Sequence, residues 1–216
     1  MSKRTKQRPK KKTKNDQDAV DFSVELDTWL KKGKGQTILG LDQVFGDRTF
    51  AIIFMFLMAT SALPIPTAGV TDVFAVITII FALQMAIGRD SLWLPKRWSK
   101  MKINKTMRTK LLPGLVKVVR RIERYSRVRL GWVFKGKISD LILGLAIATL
   151  AFFTITAPPF SGLDTIPALG VVLISAGIIL KDGLITLIGG VIGGIGIGLQ
   201  VLLGKLIVDL IKGLFN

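Results

Sequence analysis

Between residues 49 and 204 the chain alternates long uncharged stretches with one or two charged residues, and the lengths recur. Residues 49–71 carry no charge, Asp72 follows, residues 73–88 are again uncharged, and Arg89 and Asp90 close the unit. In the second half residues 141–163 are uncharged, Asp164 follows, residues 165–180 are uncharged, and Lys181 and Asp182 close it. Each unit is 23 uncharged residues, Asp, 16 uncharged residues, a basic residue and Asp, at a constant offset of 92. At that offset Pro66 falls on Pro158 and Leu92 on Leu184. We read a two-fold internal repeat. A last run, 183–204, has no counterpart, because the first unit continues as SLWLPKRW and turns polar at Pro95 and Lys96.

The runs are apolar throughout rather than alternating, which predicts about five membrane segments. A 16-residue run at ~1.5 Å per residue reaches only about 24 Å of a ~30 Å hydrocarbon core. Either its ends lie in the interface or it belongs to a broken or re-entrant hairpin. The predicted fold is all-α: a polytopic helical membrane protein with two internal repeats of short or broken hydrophobic helices, plus basic amphipathic interfacial helices. Its divisions are a disordered basic tail over 1–18, an amphipathic cytoplasmic segment over 19–48, the first membrane hairpin over 49–95 and basic amphipathic helices over 96–138. The second hairpin follows over 139–182 and a glycine-rich membrane helix over 183–216.

Composition agrees. Half of the 216 residues are apolar and the mean hydropathy is +0.50, too greasy for an ordinary soluble domain of this size. The net charge of +17 raises nucleic acid as a partner, but apolar runs of this length argue against it and make the anionic headgroups of a lipid bilayer the partner instead. Cysteine and histidine are absent, which excludes disulfides, thiolate and imidazole metal sites, and every triad with a His base. No cofactor and no metal site is expected.

Of the 31 Lys and Arg, 12 precede Thr49 and 16 lie between Arg89 and Lys137 inclusive, whereas the Pro-containing connections 63–72 and 157–164 have none. Both basic regions are therefore expected in the cytoplasm, with the N-terminus inside and both Pro turns outside. Two crossings per unit make the repeats parallel; an inverted arrangement requires one hairpin to be re-entrant. The first apolar run begins too late for the basic start to be a cleaved signal peptide. DQD at 16–18 has the form of a sugar-nucleotide motif but sits in a polar tail, where it reads as chance. Between the repeats, Leu111, Leu112, Leu115, Val118, Val119 and Ile122 recur at helical spacing against Lys117, Arg120, Arg121 and Arg124. That pattern describes basic amphipathic helices at the inner leaflet.

Asp72 and Asp164 each follow a Pro-containing turn and open an apolar segment. Two readings are open: a cap that accepts free helix N–H groups, or a carboxylate at membrane depth that marks an ion or proton path. Arg89 and Lys181 suit helix C-termini facing the cytoplasm. The acids after them, Asp90 and Asp182, gain nothing from that dipole, so a salt bridge to a basic residue of the other repeat is expected. Glu123, the only acid between Trp93 and Ser139, is read as an ion-pair organiser among the neighbouring arginines. The glycines of 189–198 form small-xxx-small pairs, so Gly189, Gly193, Gly194 and Gly198 are candidates for close helix approach, within the chain or in a homodimer. They are not a phosphate loop, lacking a preceding strand.

Four stretches, ALPIPTAG at 62–69, LQMAIGRDSLWLP at 83–95, RIERYSRVR at 121–129 and APPFSGLDTIPALGVVLISAGIILKDGL at 157–184, resemble the ExoD family of bacterial exopolysaccharide synthesis proteins. The resemblance covers roughly residues 35–205. Val128 stands where the family pattern has a proline, and Lys181 where arginine is more usual. By matching position the motif residues are Pro64, Pro66, Gln84, Gly88, Arg89, Trp93, Pro95, Glu123, Arg124, Arg129, Pro158, Phe160, Pro167, Asp182 and Gly183. The resemblance implies an inner-membrane protein needed for exopolysaccharide production and, in some bacteria, for tolerance of alkaline medium; the first reading is a multi-pass protein, not an enzyme, in contact with that machinery. The resemblance brings no catalytic residues with it. A small transporter or ion pathway using Asp72, Asp164, Arg89 and Lys181 is the alternative; a membrane-embedded transferase is weaker, because no acid pair stands at metal-ligand or glycosidase-like spacing.

Overall fold

The computed structural model describes residues 44–63, 69–89, 112–123, 136–158 and 161–215, with Val24, 26–28, Trp93, Ser126 and Phe134. The expected tail over 1–18, and Asp90, Arg124, Arg129 and Pro66, lie outside the described residues. Among the described residues the chain is all-helical, with no strand. A 3-10 turn at Gly46–Arg48 leads into α1 (Thr49–Ser61). The other helices are α2 (Val70–Ala86), α3 (Leu112–Glu123), α4 (Lys137–Thr156), α5 (Thr165–Leu180) and α6 (Gly183–Phe215).

Backbone chemistry rather than charge sets the helix ends. The uncharged run 49–71 contains all of α1, the Pro turn and the first two residues of α2, so Asp72 is the third residue of a helix that opens after Gly69. Gly69 is left-handed, with φ +83°, a conformation glycine adopts without a Cβ clash. α4 stops where Ala157 turns extended before Pro158, as the residue preceding a proline must leave the helical region. Pro167 sits in the first turn of α5, where its missing N–H deprives no carbonyl of a partner. At the other end Lys205, Asp209 and Lys212 do not stop α6, which runs for 33 residues.

The principal packing partners are α1 with α2, α2 with α4, α4 with α5, and α5 with α1, which closes a ring of four helices. α6 lies along α5 and touches α4; α3 touches α1 and α5. Phe54, Met55, Met58, Ile147, Ile174 and Ile179 fill the shared core. The helices approach where side chains are small. A Cβ on Gly144 would stand 2.6 Å from the Ala82 carbonyl oxygen and 2.7 Å from the Ala86 nitrogen. One on Gly170 would stand 2.7 Å from the Gly193 Cα, and one on Gly177 would collide with Thr186.

These contacts also orient the elements. Gly88, just beyond α2, lies beside Lys137, which opens α4. α2 and α4 therefore run antiparallel, and the two interhelical turns of the hairpins lie toward the same end. The opposite end carries Arg48, Arg89, Lys137 and Lys181 together with α3. Val116 and Val119 of α3 are buried in the core, and Ile122 packs against it. Lys117, Arg120 and Arg121 remain exposed on its other side, and the Arg120 guanidinium is 4.0 Å from the Asp27 carboxylate.

Landmarks of the two hairpins are separated by 93 residues, one more than the 92 that separates their charges. Left-handed Gly69 precedes α2 and left-handed Gly162 precedes α5. The buried residues of α4 are Leu143, Gly144, Ile147, Ala148, Leu150, Ala151 and Thr154. Each follows by 93 a buried residue of α1, from Phe50 to Ser61. The charge register therefore slips one residue against the helices, and Arg89 corresponds in backbone role to Asp182 rather than to Lys181.

The glycine contacts yield a paired prediction. Gly144→Ala forces backbone atoms of α2 apart and is expected to cost ~1–3 kcal/mol. Gly190→Ala meets nothing within 4 Å and is expected to gain about 0.5–1 kcal/mol from helix propensity. Thermal unfolding of the two variants in detergent measures the difference in sign.

Candidate functional site

The densest set of polar contacts surrounds the two-residue link between α5 and α6. The Ile178 and Gly177 carbonyls accept the Lys181 and Asp182 amides at 3.3 and 2.9 Å, the paired bonds of a Schellman ending. Lys181 takes the left-handed position with φ +52°, the only non-glycine to do so among the described residues. Asp182 is buried, with 3% exposure. Its Oδ1 accepts the Leu184 amide at 3.0 Å, and its carbonyl accepts the Thr186 amide and hydroxyl, each at 3.2 Å. One residue thus finishes α5 and caps α6. Its Oδ2 accepts the Ser126 hydroxyl at 3.0 Å, which ties the segment after α3 to the same link.

Asp182 holds the N-cap position ahead of Gly183, so the acid gains from the dipole of the helix it opens, not of the one it follows.

The end of α2 is built alike. Met85 and Gln84 carbonyls accept the Gly88 and Arg89 amides at 2.8 and 3.3 Å, with left-handed Gly88 in the place of Lys181. The buried Gln84 side chain accepts the Trp93 amide at 2.9 Å through its Oε1. Gly177, 93 residues after Gln84, has no side chain, and Thr186 of α6 passes through the space that the glutamine fills in the first hairpin.

Residues 22–202 match the family described as "Exopolysaccharide synthesis, ExoD". The chain belongs to the ExoD family. It is 32% identical over 203 residues to Uncharacterized protein slr1875 of Synechocystis sp., covering 90% of this chain and 89% of that one. It is 31% identical over 159 residues to Protein ExoD of Rhizobium meliloti, covering 71% of this chain and 64% of that protein. No solved structure matches. Membership implies a role in exopolysaccharide synthesis.

In this ExoD-family chain six of the nine motif residues that are described belong to the two helix endings. Gln84, Gly88, Arg89 and Trp93 form one; Asp182 and Gly183 belong to the other. Trp93 is 62% exposed, and Arg89 and Lys181 are exposed beside these endings. Glu123 closes α3 and is half-buried.

Asp72 and Asp164 lie at the far end, about one helix length away, so the structure does not join them to Arg89 and Lys181. Asp72 is exposed in the first turn of α2. Asp164 holds the N-cap position of α5 without a side-chain capping bond; its carbonyl accepts the Ala168 amide at 3.2 Å. Pro158 is exposed, and its carbonyl accepts the Ser161 hydroxyl at 2.6 Å. The four nominated glycines divide. Gly189 and Gly193 pack inside the chain, against Ile174 and Leu150, while Gly194 and Gly198 have nothing within 4 Å. No group of three acids that could hold a metal occurs among the described residues.

Two residues that were not singled out as candidates make structural contacts. Ser126 sits inside the RIERYSRVR stretch and gave no separate signal. Gln200 donates from Nε2 to the Leu163 carbonyl at 3.0 Å, fastening α6 to the α4–α5 turn. A lone amide in the uncharged run 183–204 was a usable signal, since a polar side chain placed there needs a partner.

The link residues make a discriminating pair. Asp182→Ala removes the α6 cap and should cost ~0.5–2 kcal/mol, with Asp182→Asn losing less. Lys181→Gly relieves a left-handed lysine and should gain about 1 kcal/mol. Unfolding in detergent reads both; polysaccharide output that survives Lys181→Gly assigns the lysine a backbone role.

Proposed function

We propose that this ExoD-family chain is an integral, multi-pass protein of the bacterial cytoplasmic membrane that supports exopolysaccharide synthesis or export without catalysing a reaction itself. The family match over residues 22–202 carries the reading. The membrane part is supported by two helices long and apolar enough to span, Lys137–Thr156 and Gly183–Leu206, and three shorter apolar ones. Ile142, Leu145, Leu187, Val191 and Ile195 are exposed on the two long helices. A surface of that kind suits lipid rather than water. All five helices cross or enter the bilayer, the basic end faces the cytoplasm and both Pro turns face outward, in keeping with the positive-inside bias.

In this reading the hairpins are parallel copies of one unit. The 93-residue spacing of left-handed glycines, Schellman endings and buried faces supports a common origin, and α6 is an addition to the second copy. Lys117, Arg120, Arg121 and Lys137, exposed at the basic end, engage anionic headgroups. The protein works as a scaffold for the exopolysaccharide machinery, and it supports growth in alkaline medium through the integrity of that membrane assembly.

A strain lacking the gene tests the reading. Wild-type chain is expected to restore exopolysaccharide and alkaline growth, and to stay in membranes washed with alkaline carbonate. Asp72→Asn and Asp164→Asn are expected to restore both as well; loss of either output would instead indicate chemistry at those carboxylates. Because the chain has no cysteine, Ala68→Cys and Ser161→Cys can be labelled singly in whole cells. An impermeant thiol reagent should reach both, and labelling of only one would overturn the parallel topology.

A further inference from the structure

Asp72, Val76, Ile80, Leu83 and Ile87 recur at helical spacing on α2 and are all exposed, forming one uncovered ridge with a carboxylate at its outer end. α5, by contrast, packs along α6, which meets it at Gly170, Ile174 and Gly177. α6 carries glycines on two faces. Gly193 and Gly196 face inward and take the side chains of Leu150 and Ile166, whereas Gly190, Gly194 and Gly198 face outward with nothing within 4 Å. The helix therefore already receives apolar ridges on one bare face and presents a second face of the same kind.

α4 touches both α2 and α6 and fixes their relative levels. Gly144 lies on Ala82 and Ala86, and six residues further along α4 Leu150 lies on Gly193, about 9 Å nearer the Pro-turn end. The same ~9 Å along α2 from Gln84 reaches Thr78. Ile80, Val76 and Asp72 thus stand at the levels of Gly190, Gly194 and Gly198 to within about one residue. Lateral association in a bilayer requires such matching of depth, and glycines four residues apart leave a groove for the ridge of a facing helix. Between the two stripes, Ile142, Leu145 and Phe152 of α4 are exposed too, so one apolar face runs across α2, α4 and α6.

We propose that this face is the contact between two copies of the chain. The α2 ridge of each copy seats in the outer glycine groove of the other's α6, and α4 meets α4 across the two-fold. Reciprocal exchange closes the pair, as an isologous interface must. Charge is complementary at the outer end, where Asp72 is an exposed carboxylate and Lys205 of the facing α6 is exposed beyond Gly198. The inference rests on the membrane reading above.

Two differently tagged copies, one with Val76→Cys and one with Gly194→Cys, are co-expressed and treated with a mild oxidant in native membranes. The expected result is a shift from the 23.6 kDa monomer to a dimer band carrying both tags, well above either variant alone. Ile80→Cys with Gly190→Cys should behave the same, and Ile87→Cys with Gly198→Cys, at different levels, should not cross-link. A stronger band from Gly194→Cys alone would overturn the proposal in favour of α6 on α6. No dimer band from protein that resists carbonate washing would overturn it in favour of lipid, leaving the membrane reading intact. Release of the protein by carbonate would overturn both.

Discussion

Close approach of helix backbones is the constraint on which the rest of the fold depends. Gly144 against Ala82 and Ala86, Gly170 against Gly189 and Gly193, and Gly177 against Thr186 leave no room for a single added carbon. Between them they join α2 to α4 and α5 to α6, the two most extensive helix contacts among the described residues. In the bilayer proposed above, where lipid tails are as apolar as leucine, burying large side chains does little to drive helices together, and dispersion between tightly fitted surfaces takes over. The polar atoms inside follow the same economy of space. Thr78, Thr154 and Ser175 turn their hydroxyls back to the carbonyl four residues earlier, so each needs no partner from a neighbouring helix.

The α5–α6 link shows what that closeness asks of the chain. Two residues, Lys181 and Asp182, reverse a helix onto its neighbour, so the orphan carbonyls of one helix and the orphan amides of the next fall within a few ångströms. A lysine accepts a left-handed backbone, and a buried aspartate supplies the cap. The first hairpin ends with the same backbone turn but is followed by a segment that Gln84 holds through Trp93. Gly177 thus leaves room for Thr186 of a crossing helix, whereas Gln84, 93 residues earlier, holds Trp93.

Much of this was legible in the sequence. The apolar runs required helices, the distribution of Lys and Arg set a basic end apart from two Pro-containing connections with neither, and the motif stretches pointed to the ExoD family. The repeating lengths predicted two like halves; in the structure the left-handed glycines, helix endings and buried faces recur at 93 residues, one residue out of step with the charges. Charges mark where a chain meets water or a headgroup, whereas proline and glycine mark where its backbone can no longer be helical. Asp72 illustrates the difference: it bounds a run but sits inside a helix.

Periodicity by itself determined which segments are helices, which end of the assembly is basic, and that Asp72 and Asp164 stand next to Pro turns. Only the tertiary structure decided what those helices touch. Val116 and Val119 of α3 pack into the bundle core, the glycines of α6 serve two faces, and Asp182 is satisfied by an amide two residues ahead and a hydroxyl 56 residues behind. The physical reason is that a side chain's spacing along the chain fixes its direction around its own helix. Its partner depends on which other helices arrive there, and that is settled by long-range packing rather than by any local pattern.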